Sequence, residues 1–200
     1  MSARFFHLLV WALLSCLIGS EGAAKSLRDI HVGNTYFGYK HHGKVDSRVA
    51  GTDYDAGYHG VFLGYSHRFQ NNSKNTGRLL WDTSLQLGVL ADDSGPLEGA
   101  RFGLRTGIAY EYLVVKQMLL KLELGVDLHH FNTKSTTLIA EEESWEFGGH
   151  ADATLVYIVH PGISLFGSVG IESLGEQSFQ TIELDFSNSI TFSTGIFFPW

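Results

Sequence analysis

The sequence predicts an all-β protein built as an eight-stranded antiparallel up-and-down barrel. Three observations carry that expectation. From about residue 28 onward, apolar side chains recur at every second position over runs of about ten residues, which is the period of a strand. Among 200 residues the 23 glycines far outnumber the 3 prolines, with 13% aromatic and 18% charged side chains, a composition foreign to disordered, collagenous or coiled-coil chains. After residue 24 no apolar run approaches the roughly 18 residues of a membrane-spanning helix.

The first element is expected to be removed. Arg4, the apolar stretch 5–18 and the small residues Gly22, Ala23 and Ala24 read as a secretory signal peptide over residues 1–24, leaving 25–200 as one barrel domain. Removing Arg4 and Glu21 leaves 13 basic and 20 acidic residues, a net charge of −7, which argues against nucleic acid as a partner. The single cysteine, Cys16, lies in the signal, so disulfide and thiol chemistry are not expected of the mature chain.

The strands follow in order. Residues 29–40 form the first, with its parity open: Ile30, Val32 and Tyr36 share one face, Phe37 and Tyr39 the other. Residues 55–69 carry Val61, Leu63, Tyr65 and Phe69 in phase. The clearest run is Trp81, Thr83, Leu85, Leu87, Val89 and Ala91, followed by Phe102, Leu104, Thr106, Ile108, Tyr110 and Tyr112, then by Leu120, Leu122, Leu124, Val126 and Leu128. Residues 146–157, 163–172 and 186–200 supply the last three. Segments 41–54, 92–98, 132–145 and 173–185 are expected as long or polar loops at one end, 113–118 and 158–162 as short turns at the other. The termini then lie with the turns.

Alternation alone leaves two faces open: apolar side chains pointing out into lipid, or into the cavity of a secreted lipocalin-like carrier. Charges in mid-strand (Arg105, Glu123, Asp127, Asp152) alternate with glycines, which suits a narrow interior better than a wet exterior. Trp81, Tyr112 and Trp145 fall near the ends of apolar rows, where amphipathic rings meet lipid headgroups. The terminal strand places Ile190, Phe192, Ile196, Phe198 and Trp200 in phase and ends on an aromatic residue, with Pro199 as a departure. In that pattern the sequence resembles the bacterial outer-membrane β-barrels, and in length and strand number the small eight-stranded OmpA/OmpX/opacity-type class. The resemblance implies a transmembrane barrel surrounded by outer-membrane lipid and lipopolysaccharide. It also implies Ile196, Phe198 and Trp200 as the signal read by the barrel-assembly machinery.

The face turned inward carries the chemistry. Asp82, Glu111, Glu123, Asp127, Glu146, Asp152 and Glu172 meet Arg68, Arg101, Arg105 and Lys121, with His150 among them, and in a confined interior such charges must pair. A structural network plugging the lumen is expected, with no cofactor. Opposite charges favour the register that sets Arg105 against Asp127 and Glu111 against Lys121, with a three-residue turn at 115–117. No metal site is expected: His41 and His42, in the first long loop, lack ligand spacing, and His129 and His130, adjacent on a strand, point to opposite faces.

An enzymatic alternative is a lipid A acyl hydrolase or acyltransferase centred on His130, but the residue two positions on, where such deacylases carry serine, is Asn132. The favoured reading is non-enzymatic: a structural or surface-interaction role, with host or surface ligands met by the loops. Removing Trp200 should lower the yield of assembled, heat-modifiable barrel in the outer membrane and leave the chain as periplasmic aggregate or degradation product. Unchanged assembly would separate Trp200 from any targeting role.

Overall fold

The structure is a computed structural model that describes residues 33–69, 77–91, 97–135, 140–174, 176–178, 182–185 and 189–199. The expected signal peptide, Trp200 and the start of the first strand lie outside the described residues. The strands are β1 (Gly33–Val49), β2 (Thr52–Arg68), β3 (Gly77–Ala91), β4 (Leu97–Val115), β5 (Met118–Ser135), β6 (Ala140–His160), β7 (Ile163–Ser173), β8 (Glu176–Ser178), β9 (Ile182–Asp185) and β10 (Ser189–Pro199). Each of β1 to β7 pairs antiparallel with its chain neighbour, β10 pairs with β7, and β10 returns to β1 from Asn34↔Pro199 to His42↔Thr191. Eight strands therefore close an antiparallel barrel. No backbone edge faces out between its first and last strands.

The two faces separate sharply. Phe37, Leu63, Leu85, Leu87, Ile108, Leu124, Phe147, Ile171 and Phe192 point outward and are exposed, whereas Asp82, Arg101, Arg105, Lys121, Asp127 and Glu172 are buried. This is the reverse of a lipocalin-like carrier, whose apolar side chains face its cavity. β1 takes the parity that sends Tyr36, Lys40 and His42 inward and Phe37 and Tyr39 outward.

The register of β4 and β5 opposes Arg105 to Asp127 and Glu111 to Lys121, as charge pairing requires. The turn differs from the expected one: a bulge between Leu113 and Val115 pairs Val115 with Met118 and leaves Lys116 and Gln117 as a two-residue connection.

Two of the expected long loops are strands. Segment 41–54 is the upper part of the β1–β2 hairpin, paired through to Val49↔Thr52, and most of 132–145 belongs to β5 and β6, paired through to Ser135↔Ala140. Segment 173–185 holds the hairpin of β8 and β9, and β9 joins β1 from Asp46↔Asp185 to Val49↔Ile182.

The physical reason is a change of phase. Above the apolar belt the outward side chains meet water and turn polar (Arg48, Asp53, Lys134, Glu143), while the inward ones pack a second core of Val49, Ala56, Tyr58, Leu90, Leu97, Phe131, Leu174 and Ile182. Polarity swaps sides within one strand. In β1 a bulge between His42 and Lys44 also moves the inward set from even to odd positions, to Ser47 and Val49. A single alternating pattern therefore cannot be followed through either hairpin.

The β1–β2 connection is tight. Ala50 (φ 50°) and Gly51 (φ 83°) both occupy the left-handed region, as a two-residue type I′ hairpin demands. Glycine enters that region freely, whereas alanine is strained by roughly 1–2 kcal/mol. Ala50→Asn or Ala50→Gly should therefore raise stability, and Gly51→Ala lower it by about 1 kcal/mol, measured by urea unfolding of the refolded barrel. Equal midpoints for all three would remove the turn from the account of the hairpin.

Candidate functional site

Eight strands enclose an interior narrow enough for side chains to fill. Each inward residue on one strand therefore meets residues from the opposite wall, and the filling is layered. At the turn end sits an aromatic layer: the ring centroid of Tyr36 lies 6.0 Å from that of Phe62, 6.4 Å from Phe166 and 5.0 Å from Phe197. The ring is directly opposite Gly64 across β1 and β2, and a Cβ there would fall 2.0 Å from Tyr36 Cζ. Glycine is what lets this ring lie flat on the wall.

The charged layers begin above it. The Tyr36 hydroxyl and the Lys121 ammonium both donate to the Asp82 carboxylate, which also accepts from Ser66 Oγ at 2.8 Å. Lys121 reaches Glu123 at 3.1 Å and lies 5.3 Å over the Tyr36 ring, a cation–π arrangement. In the middle, Arg105 donates from Nε to Asp127 Oδ1 at 2.9 Å and from one terminal nitrogen to Asp152 Oδ2 at 2.7 Å. His150 stands between two acids, 3.1 Å from Glu123 Oε1 and 2.9 Å from Asp127 Oδ1.

The upper layer centres on Glu172. It accepts from Arg101 and from Lys40 Nζ at 2.7 Å, with His42 and His129 at 3.9 Å and 3.5 Å. Arg101 is further held by His129, with contacts of 2.8 and 2.7 Å, and by His42 at 3.0 Å. It lies 5.5 Å from the Tyr58 ring centroid and 5.4 Å from that of Phe131. A flat, weakly hydrated guanidinium suits this slot between a carboxylate and two rings. Gly103 makes room for the His129 ring: a Cβ there would come 2.0 Å from His129 Nδ1.

Of the twelve charged or histidine residues expected in the lumen, Asp82, Arg101, Arg105, Glu111, Lys121, Asp127, His150 and Glu172 are buried, and Arg68, Glu123, Glu146 and Asp152 are half-buried. One expected pair is opposed in register without being an ion pair: Lys121 turns to Asp82 and Glu123, and Glu111, near the turn end, faces Arg78 at 3.7 Å. Lys40, His42, Tyr36 and Arg78 were not anticipated. The sequence held one signal of them, since seven inward acids against four inward bases demanded further cations.

Two sets of donors, Glu123 with His150 and Asp152, and Asp127 with His129 and Glu172, lie close enough to hold a metal ion. Guanidinium and ammonium groups of Arg101, Arg105, Lys40 and Lys121 already supply the positive charge at these acids.

On the outer wall, Trp81 and Tyr112 are exposed toward the turn end and Trp145 toward the hairpin end, packed against His130 at 4.8 Å. Ile196 lies opposite Phe37 and Phe198 opposite Thr35, at the seam that closes the barrel. His129 points inward and His130 outward, and His130 lies 3.8 Å from Glu143. His130, Asn132, His59, Val89, Ala100 and Phe102 border a shallow external groove of about 520 Å³ with no serine or threonine among its lining residues.

No protein-family model matches the chain, and no curated protein does. Solved structures do. Neisserial surface protein A is similar at 11% identity, covering 84% of this chain and 97% of that one, with a TM-score of 0.55. Ail of Yersinia pestis, at 12% identity, covers 84% and 99% with a TM-score of 0.49, and the outer membrane protein OprG of Pseudomonas aeruginosa, at 9%, covers 84% and 95% with 0.48. At 11% identity the likeness to Neisserial surface protein A is one of fold alone, and it agrees with the closed eight-stranded barrel of this chain.

Breaking a buried ion pair by removing or reversing one partner costs on the order of 3–5 kcal/mol. Arg105→Glu should destabilise the folded barrel on that scale, and adding Asp127→Arg should restore part of it, with Asp152 preventing full recovery. Guanidinium unfolding of the two single variants and the double variant measures this. A double variant no better than the sum of the singles would show that the pair is not coupled.

Proposed function

We propose that this outer-membrane barrel is a structural and surface-interaction protein with a plugged lumen, acting through what its hairpins present outside the cell. The observation that carries the reading is the interlocked charge network. Arg101, Arg105 and Lys121 each grip two or more partners in the lumen, and two spaces beside them among the described residues measure about 40 and 10 Å³. A buried water needs on the order of 10–15 Å³, so these spaces suit a few waters and not a hydrated path.

Outside the belt, the β1–β2 and β5–β6 hairpins continue as paired sheet, which supports a stiff display of Arg48, Asp53, Lys134 and Glu143 to surface or host ligands. Trp81, Tyr112 and Trp145 serve as the interface girdle against lipid and lipopolysaccharide. Ile196, Phe198 and Trp200 serve as the assembly signal. Against an acyl-hydrolase reading stands the groove beside His130, whose lining offers no serine or threonine nucleophile.

Two measurements test the proposal. In planar bilayers the purified barrel should give no sustained ion conductance, and a steady open channel would overturn the plug. Asp53→Cys, at the hairpin end, should react in intact cells with a membrane-impermeant maleimide, while Lys116→Cys, at the turn end, should react only after permeabilisation. The opposite pattern would turn the barrel over and remove the external role.

A further inference from the structure

Outside the lumen, three side chains of β1 and β2 converge on the outer wall. The register sets His41 opposite His59 and Tyr39 opposite Val61, so Tyr39, His41 and His59 share the outward face. Tyr39 Oη lies 2.6 Å from His59 Nδ1, and His41 Nδ1 lies 3.1 Å from the same nitrogen. The two imidazoles are stacked, with centroids 4.7 Å apart and planes inclined by 26°.

Hydrogen bonding alone serves this arrangement poorly. An imidazole nitrogen carries either one hydrogen or one lone pair in its plane. If His59 Nδ1 offers its lone pair, the Tyr39 hydroxyl and a His41 N–H compete for it. If it carries the hydrogen, that one hydrogen is shared between two acceptors.

Two nitrogens and an oxygen at this spacing are the donor set of a transition ion instead. Metal–nitrogen bonds of about 2.0–2.1 Å at a tetrahedral angle put donors about 3.3 Å apart. The two Nδ1 atoms at 3.1 Å match that spacing, whereas the Tyr39 hydroxyl at 2.6 Å has to draw back from His59 to join them. Imidazole selects zinc, copper and nickel over magnesium and calcium, which take oxygen ligands.

We propose that Tyr39, His41 and His59 form a binding site for a divalent first-row transition ion of the Zn²⁺ or Cu²⁺ kind on the outer wall, with water completing the coordination. The site lies on the hairpin side of Val61 and Leu63 and level with Val89 and Phe192, which stand opposite His59 and His41, so it sits in the upper margin of the apolar wall. The net charge of −7 favours the approach of cations. A bound ion would tie β1 to β2 where the sheet leaves the membrane.

The test uses the folded, untagged protein in detergent after chelator treatment, so it does not depend on the role proposed for the hairpins. Calorimetric titration with Zn²⁺ should give a site whose affinity falls by about tenfold or more in His59→Gln and in His41→Gln. Electron paramagnetic resonance of the Cu²⁺ form should show two coordinating nitrogens in the parent protein and one in His41→Gln. All three side chains face away from the lumen, so heat modifiability should be unchanged and each variant remains interpretable. Absence of Zn²⁺ and Cu²⁺ binding in the parent, or binding undiminished in the His41→Gln/His59→Gln double variant, would overturn the proposal.

Discussion

A sheet surrounded by hydrocarbon has no water to satisfy the backbone groups of an edge strand, and the pairing of β1 with β10 answers that constraint. Closure fixes the number of strands, and the number fixes the bore. A bore this narrow brings opposite walls within side-chain reach, so an arginine on β4 meets an acid on β7, 71 residues away in sequence. The lumen chemistry follows from the seam. Charges are tolerated there because each finds a partner, on its own or a neighbouring strand as Arg105 finds Asp127 or across the barrel as Arg101 finds Glu172, at the desolvation cost that pairing must offset.

The part of the fold readable from sequence was the part that meets lipid on one face and confined charge on the other. β3, β4 and β5 alternate cleanly because both environments are strict, and the opposed charges of Arg105 and Asp127 selected the register. β1 was illegible for a local reason: Tyr36 lies inward in an aromatic layer while Phe37 lies outward in lipid, so aromatic character marks both faces. With that parity open, Lys40 and His42 stayed unassigned. The hairpins were read as loops because a polar outward face with an apolar inward one is the ordinary pattern of a water-soluble sheet, and it begins partway along strands that started in the opposite sense.

Long-range partnerships were the least accessible. Arg101, Glu172, Lys40 and His129 come from four strands and converge at one height. Periodicity gives the face of each residue, but its height follows only from the full chain of registers around the barrel. The Tyr39, His41 and His59 cluster was missed for a related reason: the meeting is between strands, and spacing along one segment carries no trace of it.

The exchange of polarity along the strands makes the molecule two proteins in series. Below, it is inside-out, apolar toward lipid and charged within. Above, it is built as a soluble protein is, with Val49, Tyr58, Leu97, Phe131 and Ile182 packed inside and charges in water. Sliding the barrel outward would wet Leu63, Leu85 and Leu124, and sinking it would press Asp53, Lys134 and Glu143 into hydrocarbon. Both displacements raise the free energy, so the height at which polarity switches acts as a waterline. The chain floats at a depth written into its own side chains and meets the bilayer as a hull of fixed draught.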